Sequence, residues 1–132
     1  MLKETIKYTD YNGLEREEDH YFNLTEAEII DMDMNMSGGL RAMLEAAISA
    51  QDAKTLYTVF KDILFKSYGR KSIDGRRFEK SEELSTEFMQ TEAYNVLIKR
   101  LLKDDVKAAE FIKGILPQNV NVNKADHPAL KD

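Results

Sequence analysis

The span from Leu64 to Tyr94, LFKSYGRKSIDGRRFEKSEELSTEFMQTEAY, constrains the fold more than any other part of this chain. It sets an apolar helix end, a basic loop with a glycine at each bend and an acidic helix start side by side. Upstream, Leu56, Val59, Phe60, Ile63 and Leu64 recur at the spacing of one buried helical face, with Tyr57, Phe65 and Tyr68 widening it. Asp52 supplies an N-cap for that helix, and Gly69 fits the C′ position that ends it. The loop turns again at Asp74-Gly75. Downstream, Ser81 is an N-cap, and the charges of Glu82 and Glu83 suit a helix N-terminus. Leu84 and Phe88 form the inner face. Thr91 and Glu92 restart or continue the helix through Tyr94, Leu97, Ile98, Leu101 and Leu102. A last helix from about Asp104 carries Ala108, Phe111, Ile112 and Ile115, and Pro117 closes it.

The N-terminal part reads differently. Residues 2–24 predict a β-hairpin turning at Asp10-Tyr11-Asn12-Gly13, with Gly13 left-handed in a three-residue loop. That register sets Leu2 opposite Phe22, Ile6 near Glu18 and Lys7 opposite Glu17, leaving one apolar stripe of Leu2, Ile6, Tyr8, Phe22 and Leu24. A lone hairpin is marginal in water, so this one must lie on helices or gain strands from another subunit. Thr25 and Glu28 then form a capping box, with Leu24 and Ile29 at the two positions of a hydrophobic staple. Residues 29–36 alternate apolar and polar as a strand would, yet the caps argue for a helix. Ser37-Gly38-Gly39 breaks it, and Leu40, Met43, Leu44, Ala47 and Ile48 mark another helical face. Residues 117–132 lack periodicity and are read as a disordered tail. The fold class is therefore mainly α (α+β): one globular domain over residues 1–116, with a hairpin (2–24), five or six short helices (25–116) and the tail.

Composition excludes several functions. The chain has 132 residues, no cysteine and a net charge of −5. Disulfides, thiolate metal sites and thiol nucleophiles are therefore absent. No window approaches the ~18 apolar residues of a membrane span, and the N-terminus lacks the apolar core of a signal peptide, so a cytoplasmic protein is expected. His20 and His127 have no second ligand at helical spacing, and no GxxxxGK[ST], GxGxxG or GxSxG occurs. The acids Glu15, Glu17, Glu18 and Asp19 lack the spacing and central glycine of a calcium loop and read as a solvated hairpin edge. We expect no catalytic residues, no metal and no cofactor.

Charge is unevenly spread. Residues 1–53 carry 4 basic and 12 acidic side chains, whereas residues 54–103 carry 11 and 7. Either the halves complement each other internally or two contact surfaces differ in sign. Loop 66–80 holds Lys66, Arg70, Lys71, Arg76, Arg77 and Lys80 with Tyr68 and Phe78 interleaved. Basic residues with aromatics are also the material of a nucleic-acid site. An acidic chain, interruptions by Asp74 and Glu79 and the lack of a known motif favour a protein contact instead. Tyr68, Arg70, Arg76, Arg77 and Phe78 are the candidate partner-binding residues. Met34, Met36 and Met43, with Met32, are either core filler or a pliant apolar groove for a client helix.

Across residues 1–117 the order TIKYTDYNGLERxE, FNLTEAE, KDILFKSYGRKSIDGRRFEKSEELSTEFMQTEAY and AAEFIKGILP resembles the tail assembly chaperones of long-tailed phages and prophages of Gram-positive bacteria. The resemblance implies a small, mainly helical protein of the host cytoplasm, absent from the finished virion. It implies binding to the tape measure protein, which such chaperones coat before and during tail tube polymerisation. It also implies, in many members, a longer frameshifted form that recruits the major tail protein. Self-association is a further expectation, the basic loop of one copy meeting the acidic N-terminal half of the next. The rival readings are a nucleic-acid-binding regulator and a structural tail component.

Overall fold

In the computed structural model, which describes residues 1–35 and 53–117 together with Gly39, Ala42, Glu45 and Ser49, Asp10 sets the first turn. Its carboxylate accepts the Asn12 and Leu14 N–H groups at 2.8 and 2.9 Å, and Gly13 turns the chain at φ 81°. The flanking strands β1 (Leu2–Thr9) and β2 (Glu15–Phe22) pair antiparallel in the register the sequence predicts: Leu2 opposite Phe22, Ile6 opposite Glu18, Lys7 opposite Glu17. Ile6 and Phe22 are fully buried, while Leu2 and Tyr8 pack at the margin. Tyr8 also hydrogen-bonds Glu18 across the pair.

Beyond β2 the capping box forms as expected. Glu28 N–H donates to the Thr25 hydroxyl at 3.1 Å, and Thr25 N–H donates to the Glu28 carboxylate at 2.9 Å. Helix α1 (Glu26–Asn35) follows. Its alternating sequence resolves as a helix because Ile29 and Met32, three apart, share the inner face, while Ile30 and Met34 are left outside. Four further helices are described: α2 (Ala53–Ser67), α3 (Glu82–Met89), α4 (Glu92–Lys103) and α5 (Asp105–Ile115). Ser81, Thr91 and Asp104 are their N-caps from α3 onward, so the chain restarts a helix at Thr91 rather than continuing one. The helix predicted from Leu40, the Ser37-Gly38 break, the Asp52 cap and the tail after Pro117 lie outside the described residues.

The segment read as a loop after α2 is different. Tyr68–Lys71 form strand β3 and Phe78–Glu79 form β4, giving one four-stranded antiparallel sheet in the order β1-β2-β3-β4. Tyr21 faces Gly69 and Phe22 faces Tyr68; Arg70 faces Glu79 and Lys71 faces Phe78. Gly69 is therefore not a left-handed helix terminator. It is a strand residue whose added Cβ would lie 2.6 Å from the Glu79 carbonyl oxygen and 2.6 Å from Phe78 Cε2. Close approach of β4 requires the glycine.

The sheet lays its apolar stripe on the helices. Phe60, Ile63, Leu64, Leu97, Phe111 and Ile115 are buried with Ile6, Phe22 and Leu24. Phe88 gathers the aromatic part of this core: its ring stacks on Tyr68 (4.4 Å, 9°) and meets Phe22 and Tyr94 edge-on. Two helix ends also hold the chain as it leaves β2. Asn23 N–H donates to Ser67 O at 2.8 Å and Leu24 N–H to Ile115 O at 3.0 Å, satisfying carbonyls that a helix C-terminus leaves open. The hairpin thus gains its stability from the helices and from β3.

Candidate protein-contact surface

The β3–β4 ribbon projects from the body on a turn that its own side chains brace. Ser72 Oγ donates to Asp74 Oδ1 at 2.7 Å and accepts Arg77 N–H at 3.0 Å. The same Asp74 oxygen accepts Arg76 N–H at 3.1 Å. Ser72 N–H donates to Arg77 O, Gly75 N–H donates to Ser72 O, and Gly75 adopts φ 74°. The Ser72 hydroxyl and the Arg76 amide hold the Asp74 carboxyl below the usual range. On this fixed turn Ile73 stands 109% exposed. An exposed isoleucine on a turn braced by its own hydrogen bonds is a candidate apolar contact point.

Around the tip the cations are mostly shared. Glu79 accepts Arg70 Nε at 2.9 Å and Arg77 at 3.0 Å, and these guanidiniums, Arg70 first, hold its carboxyl below the usual range. Lys66 pairs with Asp62 at 2.9 Å, and Lys80 with Glu28 at 2.7 Å. Lys71 lies over the Tyr21 ring, 4.8 Å from its centre. Arg76 is exposed and has no ion-pair partner among the described residues. The charge asymmetry of the sequence is thus answered partly inside the molecule, by Glu28–Lys80 and by Glu4–Arg100 at 3.2 Å.

The candidate residues divide accordingly. Arg70, Arg76 and Arg77 are exposed on the ribbon as expected. Tyr68, expected as an exposed contact, is half-buried because its register opposite Phe22 turns the ring onto Phe88. Phe78 is also half-buried, its ring edge closing over Gly69. Met34 is 81% exposed on α1, whereas Met32 is core. Met36 and Met43 lie outside the described residues. Ile73 escaped the sequence reading; its only signal was an isolated apolar residue between two turn formers, Ser72 and Asp74.

Between the ribbon and α3 runs an open groove of about 720 Å³, with Arg70 and Arg77 on one wall, Glu83 and Glu87 on the other and Phe78 and Leu84 between them. No cluster of side chains suited to a metal occurs among the described residues, and no described helix is long and apolar enough to cross a membrane.

The model of one family, described as phage tail assembly chaperone, matches residues 1–131. The chain belongs to the phage tail assembly chaperone family. No curated protein and no solved structure matches it. In this tail assembly chaperone three features stand out at the described surface. They are guanidiniums, an apolar tip and an exposed methionine on a capped helix.

Proposed function

We propose that this chaperone binds the tape measure protein of its phage, keeps it soluble and promotes polymerisation of the tail tube around it. The observation that carries the reading, beside family membership, is the braced ribbon presenting Ile73 with Arg76 beside it. A long helical client that would otherwise aggregate needs an apolar anchor to cover its exposed stripe and charge to keep the complex in solution. Met34 and Ile30, exposed on α1, add unbranched and branched apolar area of the same kind. In this reading the protein works in the cytoplasm of the bacterial host and leaves before the virion is complete. A longer frameshifted form would bring the major tail protein.

Co-expression with the tape measure protein tests this. A soluble complex that co-purifies is expected, and a tape measure left insoluble with the chaperone free in the supernatant overturns the reading. Mass spectrometry of purified particles should find the chaperone absent; its presence would make it a structural tail component. The nucleic-acid reading gains little, because Glu79, Glu28 and Asp62 already pair four of the six cations of segment 66–80.

A further inference from the structure

We infer that the outer edge of β1 is a docking site for an extended, acid-bearing segment of another protein, which joins the sheet as a further strand. A helical client cannot use this edge, so the site is separate from the one proposed on the ribbon. In the sheet order β1-β2-β3-β4, no described strand lies beyond β1. The closing bond of the hairpin, Asp10 N–H to Leu14 O at 2.8 Å, fixes which way each peptide group points. Antiparallel pairing alternates from there. Leu2, Glu4, Ile6 and Tyr8 bond to β2, whereas the N–H and C=O groups of Lys3, Thr5, Lys7 and Thr9 point away from it.

Among the described residues nothing takes these outward groups, and all four side chains are exposed. The strand runs for eight residues with no proline or glycine, and its register has no bulge. Peptide groups left open in a row, one residue in two and so about 6.8 Å apart, are matched by another extended chain. Strand β2 shows what chemistry that chain should carry. On the edge β1 already uses, Glu17 stands opposite Lys7 at 3.4 Å, and Asp19 accepts the Thr5 hydroxyl at 2.6 Å. Lys3 lies opposite Tyr21 and has no ion-pair partner among the described residues. An incoming strand with an acid at every second position repeats the β2 arrangement on the free side. The same lysines select against other occupants. A second copy laid along this edge brings only lysine and threonine, doubling the cations without adding an acid.

The probe is a blocked peptide of about nine residues alternating Glu and Val, with its Lys and Val counterpart as control. Residue-resolved amide exchange of the full chain should find Lys3, Thr5, Lys7 and Thr9 fast in the free protein. With the Glu peptide at about ten times its Kd, these four should slow about tenfold, and Glu4, Ile6 and Tyr8, already bonded to β2, should change less. Binding should weaken from about 0.05 M to about 0.5 M salt, and the Lys peptide should leave the four amides fast. The variant Lys3→Glu/Lys7→Glu should reverse the preference between the peptides while keeping the parent's circular dichroism. Thr5→Pro removes one outward N–H without taking a bond from β2, and should abolish protection. The lysine pair is exposed, so it remains informative if Thr5→Pro disturbs the hairpin. No protection by the Glu peptide, or equal protection by both peptides, overturns the inference. So does slow exchange of the four amides in the free protein, which would mean that this chain or a second copy already covers the edge.

Discussion

Lys80 Nζ lies 2.7 and 2.8 Å from the two carboxylate oxygens of Glu28, joining the foot of the ribbon to the capping box of α1, 52 residues earlier in the chain. Glu28 already accepts the Thr25 N–H at 2.9 Å. One carboxylate therefore closes a helix end and anchors a projecting element. Burial pushes the Glu28 carboxyl up, but Lys80 and the Thr25 amide together outweigh it, and the group sits below its ordinary 4.5.

Replacing Lys80 with Met should cost roughly 0.5 to 1 kcal/mol, the modest figure expected for a partly exposed pair. Because the folded carboxyl is depressed, its contribution is present above pH 4.5 and is lost as pH falls through the lowered folded value. Hydrogen exchange at the first turn of α1 checks the coupling: protection there should fall in the Lys80→Met variant. Unchanged protection would show that ribbon and cap are independent.

Two glycines predict opposite outcomes for the same change. Gly69→Ala drives a Cβ to 2.6 Å from a backbone oxygen, which cannot yield without separating β3 from β4. A loss of about 2 kcal/mol is expected in chemical denaturation. Gly114→Ala instead meets only side-chain atoms, Leu2 Cδ1 at 2.7 Å, Cγ at 3.3 Å and Cβ at 3.4 Å, which a shift of the half-buried Leu2 side chain can relieve, while gaining up to about 1 kcal/mol of helix propensity. Its net effect should be near zero or stabilising. If the two variants lose similar stability, the backbone contact at Gly69 is not what forbids a side chain.

His20 should make the fold sensitive to mild acid. Its ring packs 5.1 Å from Phe88 and 6.3 Å from Tyr68, and its buried Nε2 has no hydrogen-bond partner. Burial lowers its pKa below the ordinary 6.5, and Glu18 and Asp19 oppose this only in part. A depressed histidine binds its proton more readily unfolded, so stability is full above pH 6.5 and declines as pH falls through the lowered folded value. Urea unfolding at about pH 7.5 and about pH 5.5 should show that decline, and His20→Phe should remove most of it. A variant with the parent's slope would place the proton elsewhere.

Ile73→Ser separates function from stability. With no neighbour to lose, unfolding should change by less than about 0.5 kcal/mol. The soluble yield of co-expressed tape measure protein should nonetheless fall severalfold. An undiminished yield would remove Ile73 from the client surface.

Much of the fold was legible because its signals are local. The Asp10-Gly13 turn, the Thr25–Glu28 box and the caps at Ser81, Thr91 and Asp104 are formed by residues at most a few positions apart, so their geometry follows from short-range chemistry. The candidate surface was legible only in part. Arg70, Arg76 and Arg77 are exposed because charge stays in water, but the packing of Tyr68 and the isolation of Ile73 depend on which strand each residue pairs with.

What the sequence determined by itself was the hairpin register, the helical class and the polarity of segment 66–80. These rest on side-chain period, capping hydroxyls and turn glycines, all properties of neighbouring residues. The tertiary structure alone decided that this segment is a ribbon. Strand β4 has two residues and β3 has four, too few to show a period, and β3 exists because β2 offers it an open edge far away in sequence. The same long-range pairing made Gly69 a contact rather than a cap. It also placed Lys80 against Glu28 and left Glu83 and Glu87 facing the arginines across an open groove.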